Sequence, residues 1–502
     1  MIQHSPILAV AVLLFGGFLT PLIDRIAKWR KNELLRDFFV LGIVIVSLLF
    51  VLDMAPTALN GGVIVYQLAG RAPPWGINLI VDGLAIQMAL MIGILGTTVV
   101  AYSLIYMRGD SGLGKYYTLL LVALAGMLGV VLTGDLFNFY VFLEIMSTSS
   151  YALIAFRRGS GSLEASIKYL FIGTLGTTFI LLSIALLYGL VGSLNIADIG
   201  VRLGAIQASS QSMPLIIVVA LGLFVTGIMI KTAMVPFHPW LIDGLTAAPT
   251  AVSALIAGPE AVVGIYWIAR VPYLPFGTPI GIILIAFGLT SMTVGVLLAL
   301  VQPYFKRMLA YHVVSQKGYM VLGLGLGTVL GVKGGLFHLL NHSTYKALLF
   351  MCAGAVVYRT KTQKFDELGG LLNRMPWTAM LFLIGAFAIS GMPPLNGFWS
   401  KFTIYLAGIG ANMPIVTIIA MIVSVLTLAS FTRAFIKTFM GSSFKDRRRV
   451  KEVPVRMLIP MFVLAAICIG IGLLPALGYN VVGPAQSSVM NPGKYIAKVL
   501  GG

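Results

Sequence analysis

The sequence predicts an all-α polytopic membrane protein with fourteen transmembrane helices, and three observations carry that prediction. The first is composition: 59% of the 502 residues are hydrophobic and only 10% are charged, whereas a soluble domain carries about 25% charge. The second is that the apolar residues gather into fourteen runs, each able to cross a hydrocarbon core that needs about 20 helical residues. The third is that Lys and Arg gather in odd-numbered loops between those runs, six of the seven, which is the positive-inside pattern.

In chain order the spans are 5–23, 37–55, 79–107, 115–134, 135–156, 165–191, 213–234, 248–270, 278–301, 308–329, 335–357, 376–405, 411–438 and 455–477. The first loop carries Arg25, Lys28, Arg30, Lys31 and Arg36, the third Arg108 and Lys115, and the fifth Arg157 and Arg158. The ninth carries Lys306 and Arg307, and the eleventh Arg359, Lys361, Lys364 and Arg374. The thirteenth carries Lys445, Arg447, Arg448, Arg449 and Lys451. The even loops are nearly bare of basic residues, so the odd loops are expected in the cytoplasm and both termini outside a plasma membrane. The polar, Gly- and Pro-rich stretch 59–78 reads as an external loop with scope for a short hairpin. Run 6–23 has no basic region before it and no small-residue cleavage site, so it reads as a retained helix.

The net charge of +18 invites a nucleic-acid reading. The basic residues sit in short loops between apolar runs, so the charge belongs to membrane topology and no nucleic-acid partner is expected. Cys352 and Cys468 both lie inside apolar runs and no CxxC occurs. No iron–sulfur or zinc site can be built by cysteine ligation, and no cofactor is expected in this chain, nor redox or hydrolytic chemistry of its own.

One stretch organises the rest. Residues 222–244 read GLFVTGIMIKTAMVPFHPWLIDG. An apolar run bears Lys231 and is then broken at Pro236 and Pro239, each of which removes a backbone donor. Open backbone in a bilayer is tolerated where protein or a water-filled cavity satisfies it. A buried lysine costs about 2.5–3.5 kcal/mol on insertion scales unless it finds a partner. A broken helix with an ionisable group at the break points to an ion path, against the plainer alternative of a kink with a snorkelling lysine.

The middle of the chain echoes itself. FLEIMSTSSYAL (142–153) resembles LAYHVVSQKGYM (309–320) at an offset of 168, which pairs Glu144 with His312, Ser147 with Ser315 and Tyr151 with Tyr319. At an offset of 170, Lys168 pairs with His338 and Lys231 with Lys401, and Lys401 again adjoins a break, at Pro393 and Pro394. The expected units are residues 1–114 (helices one to three and the external loop), a first repeat at 115–270 (spans four to eight), a second at 278–438 (spans nine to thirteen), and 439–502. Five helices per repeat is an odd number, so the two copies are expected to be inverted, with broken helices seven and twelve in matching places.

Few ionisable residues fall inside spans. Glu144, Lys231, His338, His342, Lys346 and Lys401 are the leading candidates for a proton pathway, with Lys168, Glu260 and His312 as further candidates. His338, His342 and Lys346 are four apart, so they share one helix face and climb about 12 Å. Such a stripe can pass a proton, or its members can satisfy one another and backbone carbonyls. Glu144 and Lys231 have opposite charge, and a pair of that kind would hold a proton when closed and release it when open. Lys306 and Arg307, near a span end, are expected to snorkel.

At these residues the chain resembles the antiporter-like subunits shared by Mrp cation/proton antiporters, complex I chains L, M and N, and membrane-bound energy-converting hydrogenases. The resemblance rests on GDLFNFYVFLE, KTAMVPFHPWLIDG, FKRMLAYHVVSQKGYM, FHLLNHSTYKALLFMCAG and GMPPLNGFWSK, in one order over most of the chain. It implies fourteen helices, two inverted five-helix repeats and a hydrated central axis. It also implies that Glu144 and Lys231 gate the first half, that Lys401 serves the exit, and that Lys346 and the histidines connect them. The chain departs from the family at one place: a lysine often found in span eight aligns with Val262, two residues after Glu260. The bridge from Lys231 to the histidines is thus left to water, Glu260 or Lys168. The short stretch after span fourteen fits the D-type Mrp component, chain M or the hydrogenase component better than chain L.

The function expected is that of a proton-translocating subunit of a multisubunit membrane complex, of the Mrp Na+/H+ antiporter type or of a redox-driven pump. Its partners would be further antiporter-like and small hydrophobic subunits, the lipid bilayer, H+ and, in an antiporter, Na+, or else a redox module with iron–sulfur clusters. The alternatives are a self-sufficient secondary transporter, a chain M-type subunit of a quinone oxidoreductase, and a structural subunit that moves no ions.

Overall fold

The computed structural model describes residues 2–209, 213–271, 274–277, 280–441 and 450–501. It is mostly helical. Helices α1 (Ser5–Trp29) and α2 (Leu34–Leu59) lead into an antiparallel hairpin, β1 (Ile64–Gln67) and β2 (Asn78–Val81), registered with Ile64 opposite Val81. Then come α3 (Gly83–Tyr106), α4 (Leu113–Leu132), α5 (Leu136–Ile154), α6 (Ser160–Val191) and the short α7 (Ile196–Ser209). Next, α8 (Leu215–Lys231) stops at the first break and α9 (Pro239–Ala247) restarts beyond it. Helices α10 (Thr250–Leu255) and α11 (Ala261–Arg270) are joined through a π-helical turn, Ile256–Glu260. The second half holds α12 (Gly281–Leu300), α13 (Phe305–Gly325) and α14 (Val329–Thr360), then α15 (Pro376–Ser390) and α16 (Asn396–Gly410) on either side of the second break. Helices α17 (Pro414–Phe439), α18 (Val455–Leu473), α19 (Pro475–Met490) and α20 (Pro492–Leu500) follow.

Among the described residues, nine helical segments are long and apolar enough to cross a membrane, the run Thr250–Arg270 counted as one. Helices α8 and α15 fall short of that length because each belongs to a span that proline interrupts. The basic cluster Lys445, Arg447, Arg448 and Arg449, and the boundary at Thr278, lie outside the described residues.

The loops gather at two ends. At one end Asn78 of β2 accepts from Gly134, Asn195 donates to Asn78, and Arg270 pairs with Asp82. At the other, Arg157 pairs with Asp110, Arg307 with Asp243, and Lys437 with Asp366, while Tyr304 bridges to Lys364. These are the even and the odd loops respectively. The stretch after Pro475 is helical. It forms α19 and α20, each begun by a proline whose missing N–H is no loss in a first turn. Tyr495 of α20 lies over the Arg270 guanidinium at 5.0 Å.

Burial sorts the helices into layers. Helices α3, α4, α10–α11, α13 and α14 are covered on nearly all sides, while α1, α2, α12 and α17 keep broad apolar faces outward, with Phe15 and Phe18 about 70% exposed. Inside a bilayer such outward faces meet lipid, and helix contact comes from close packing instead of water exclusion. Small residues provide it. A Cβ on Gly227 of α8 would lie 2.6 Å from the Gly176 carbonyl oxygen of α6, and one on Gly318 of α13 2.5 Å from the Gly288 carbonyl oxygen of α12.

Candidate proton pathway

Proline dictates the first centre. Beyond Lys231 the chain cannot continue as helix, so the last carbonyls of α8 lose their helical donors. Side chains from elsewhere take them: Trp240 Nε1 donates to the Ile230 carbonyl at 3.1 Å, and Lys317 Nζ donates to the Thr232 carbonyl. Ser291 Oγ accepts from Val235 N–H at 3.0 Å. Lys231, the last residue of α8, is 7% exposed and points into the protein. It donates to Ser147 Oγ at 2.5 Å and to Tyr151 OH at 3.5 Å, and lies over the Tyr151 and Tyr169 rings at 5.7 and 5.4 Å.

Glu144 sits one turn before Ser147 on α5, on the same helical side. Its Oε1 is buried without a hydrogen-bond partner, and its charge reaches Lys231. No ion pair joins the two among the described residues; Ser147 receives the lysine instead. Glu260 is the better sheltered carboxylate. It is 6% exposed on the π turn and accepts from Ser150 Oγ at 2.7 Å and Tyr169 OH at 3.1 Å. Lys231, Glu260, Tyr169 and Lys317 line one internal cavity of about 10 Å³, roughly the room one water needs.

The second centre is α14. His338, His342 and Lys346 are all fully buried. His338 Nδ1 shares a hydrogen bond with Ser400 Oγ at 3.0 Å, and Nε2 faces Gln316 Oε1 and Tyr345 OH at 3.2 Å each. His342 has no hydrogen-bond partner on either ring nitrogen. Lys346 Nζ donates to the Leu309 carbonyl at 3.0 Å. The stripe is therefore not closed on itself: His338 reaches α13 and α16, Lys346 reaches α13, and His342 is uncommitted.

The third centre lies at the second break. Met392, Pro393 and Pro394 separate α15 from α16, and Lys401 returns to the freed carbonyls. It donates to the Ile389 carbonyl and to Ser424 Oγ, each at 2.8 Å, and lies over the Tyr319 ring at 4.6 Å. Ser400, its neighbour in sequence, is the residue that holds His338.

The remaining candidates fall apart from these centres to different degrees. His312 is fully buried, with Nε2 on Ser430 Oγ at 2.8 Å and Nδ1 unpartnered. Lys168 is 47% exposed and pairs with Glu164 and Asp243 near the odd-loop end. Lys306 corrects an expectation: it does not snorkel but is 2% exposed and donates to the Ala248 carbonyl at 2.5 Å, just past α9. Although it lies near a span end, its ammonium is taken up by a backbone carbonyl within the protein. Lys317 was missed altogether. It is fully buried in mid-α13, and a search for charged residues remote from both ends of a span would have found it. Ser147 and Tyr151 stood out only through the repeat register, and Tyr169 not at all, because a single hydroxyl in an apolar helix carries no positional signal of its own.

A mostly helical chain with apolar outer faces and, among the described residues, two helices broken at prolines and several buried ionisable groups has the make-up of a polytopic membrane protein. The comparisons agree. Residues 133–427 match the family described as NADH:quinone oxidoreductase/Mrp antiporter, TM, and residues 74–117 match the N-terminus of chain 5 of NADH-ubiquinone oxidoreductase (complex I). The chain is 34% identical to the N component of the NADH-quinone oxidoreductase of Desulforudis audaxviator, over 94% of this chain and 96% of that one. It is 33% identical to the D component of the Na(+)/H(+) antiporter of Alkalihalophilus pseudofirmus, over 93% and 94%. Among solved structures, a chain of the membrane-bound sulfane sulfur reductase, an archaeal respiratory membrane complex, superposes with a TM-score of 0.89 at 30% identity, over 99% of this chain and all of that one. The chain belongs to the NADH:quinone oxidoreductase/Mrp antiporter membrane family.

Proposed function

We propose that this chain is a proton-translocating, antiporter-like subunit of a multisubunit membrane complex. The observation that carries the reading is the buried series Lys231, Glu260, His342, His338 and Lys401, which begins at one broken helix and ends at the other. Each buried ionisable group costs stability in lipid and is hard to account for without a path. Most of the series are nitrogen bases, which carry H+ and repel Na+ once charged, so Na+ exchange belongs to a neighbouring subunit.

The expected inverted repeat gains support at the lysines. Tyr151 and Tyr319, equivalent at offset 168, each lie against the lysine of their own half, Lys231 and Lys401. The separate gathering of odd and even loops supports fourteen crossings with both termini on the even-loop side, and the basic odd loops assign that side to the exterior. The repeats at 115–270 and 278–438 are the units we assign to the two half-paths.

Glu144 favours a complex over a self-sufficient transporter. It is partly exposed on an α5 stripe with Phe137, Val141 and Thr148. A carboxylate on a lipid-facing stripe is costly, and a neighbouring subunit over this stripe would remove the cost. The relatives belong by name to complexes of two kinds, an ion antiporter and respiratory redox complexes. Purification from native membranes with identification of partners by mass spectrometry separates an iron–sulfur redox module from small hydrophobic subunits alone.

The deciding experiment places Glu144→Gln and Lys231→Ala in the complete complex and follows acidification of inverted vesicles with a pH-sensitive dye. Both variants are expected to assemble and to lose coupled proton movement at least about tenfold, a loss of about 1.4 kcal/mol or more in the rate-limiting step. Wild-type pumping by both would remove the assignment.

A further inference from the structure

The path described above has a gap. Lys231 lies against α5, His342 lies on α14, and the helix across the cavity, α10–α11, offers Glu260 but no lysine. Lys317 of α13 stands in that gap. Its side chain is fully buried and lines the same small cavity as Lys231 and Glu260. Its Nζ is anchored on the Thr232 carbonyl, one residue past Lys231. His342 is on α14, the helix packed against α13, where the charge of Lys317 reaches it, and neither of its ring nitrogens has a partner. His238, in the first break, is the further titratable group within its reach, and its Nδ1 is also unpartnered.

Two plainer roles compete. Lys317 could serve only to satisfy an orphan carbonyl, as Lys306 does at Ala248. A hydroxyl or an amide would do that without bringing in a group whose protonated form must be desolvated in an apolar interior. Lys168 could bridge instead, but it is half exposed and held by Glu164 and Asp243.

We infer that Lys317 is the proton carrier between the two halves, taking a proton from Lys231 through the cavity and passing it to His342. This rests on the proton-translocating reading given above. The transfer balances without any other reactant. One N–H bond of the Lys231 ammonium breaks and leaves a neutral amine with its lone pair. A water in the cavity relays the proton, and a new N–H bond forms on the neutral Lys317 amine. Lys317 then gives one proton to a free imidazole nitrogen of His342 and returns to neutral. Glu260 steadies the cation while it resides on either lysine. The Thr232 carbonyl keeps Lys317 in place through both states, because it accepts from an amine as well as from an ammonium.

The test uses Lys317→Arg, Lys317→His and Lys317→Leu in the complete complex, with Glu144→Gln and Lys231→Ala beside them. Arginine keeps the donor and the charge but cannot release a proton, so a purely structural lysine tolerates it and a carrier does not. The expected result is assembly of the Arg variant with at least a tenfold loss of proton movement, and recovery to within severalfold of wild type with His. Wild-type rates in the Arg or Leu variant while Glu144→Gln is inactive would overturn the role of Lys317 and leave the function standing. Wild-type rates in Glu144→Gln and in Lys231→Ala as well would remove the function itself. Failure of all three Lys317 variants to assemble would assign the residue to structure alone and also overturn the inference.

Discussion

Lys231 has two oxygen partners of unequal quality: Ser147 Oγ at 2.5 Å is a full hydrogen bond and Tyr151 OH at 3.5 Å a marginal one. Removing the hydroxyl leaves the ammonium resting on two tyrosine faces. A hydrogen bond to a charged group contributes about 1.5–3 kcal/mol, so Ser147→Ala is expected to slow proton movement roughly tenfold or more. Ser149→Ala, whose hydroxyl bonds only the Ile145 carbonyl of its own helix, is the matched control and is expected to stay within twofold in the same vesicle assay. Sequence reading singled out the charged groups here, and Ser147 and Tyr151 only through the repeat, but not that Ser147 takes the ammonium. A lysine or glutamate in an apolar run stands out because it is costly there, whereas serine and tyrosine are commonplace in membrane helices.

At the level of the element, the position of Lys231 depends on how closely α8 approaches α6. Gly227 lies one turn before the lysine, and a Cβ there would fall 2.6 Å from the Gly176 carbonyl oxygen and 2.7 Å from Ile180 Cγ1. Gly227→Val must push the helices apart or shift their backbones. Overpacking of this kind costs about 1–3 kcal/mol. The expected outcome is a lower melting temperature of the detergent-solubilised complex together with weaker proton movement, since the Ser147 contact would open. A melt and transport rate both equal to wild type would mean that the crossing does not set the site. Breaks at Pro236, Pro239, Pro393 and Pro394 were legible because proline acts locally. The π turn at Ile256–Glu260 was not, although Pro259 marks it. Whether a proline in a helix yields a break or a bulge depends on which neighbours satisfy the freed backbone groups.

For the whole molecule, the even-loop end is fastened around one buried ion pair. Arg270 is 4% and Asp82 1% exposed; Arg270 Nη2 donates to both Asp82 oxygens at 2.8 and 3.0 Å, and Tyr266 and Tyr495 lie against the guanidinium at 5.1 and 5.0 Å. Asp82 also caps α3 through Ala85 N–H at 2.9 Å. This joins the start of α3, the end of α11 and the tail helix α20. Removing one partner of a buried pair leaves the other uncompensated and costs about 3–5 kcal/mol. Arg270→Ala is expected to lower the melting temperature of the complex markedly, and Asp82→Asn to lower it less because a hydrogen-bond acceptor remains. An unchanged melt in both variants would show that the tail is fastened elsewhere. Sequence reading found neither this pair nor helices α19 and α20, and the two partners of the pair stand 188 residues apart.

Composition, apolar run length and loop charge determined by themselves that this is a polytopic helical membrane protein, because lipid imposes those constraints on any chain segment by segment. Proline and the rare intramembrane charges marked the two breaks, the α14 stripe and the Glu144, Glu260, Lys231 and Lys401 positions for the same local reason. Tertiary structure decided which of those groups meet. It put Ser147 and not Glu144 on the Lys231 ammonium, turned Lys306 inward, left Lys168 at the rim and brought Lys317 beside Lys231. Long side chains go to the nearest unsatisfied acceptor, and where that acceptor lies is fixed only once separate helices have packed.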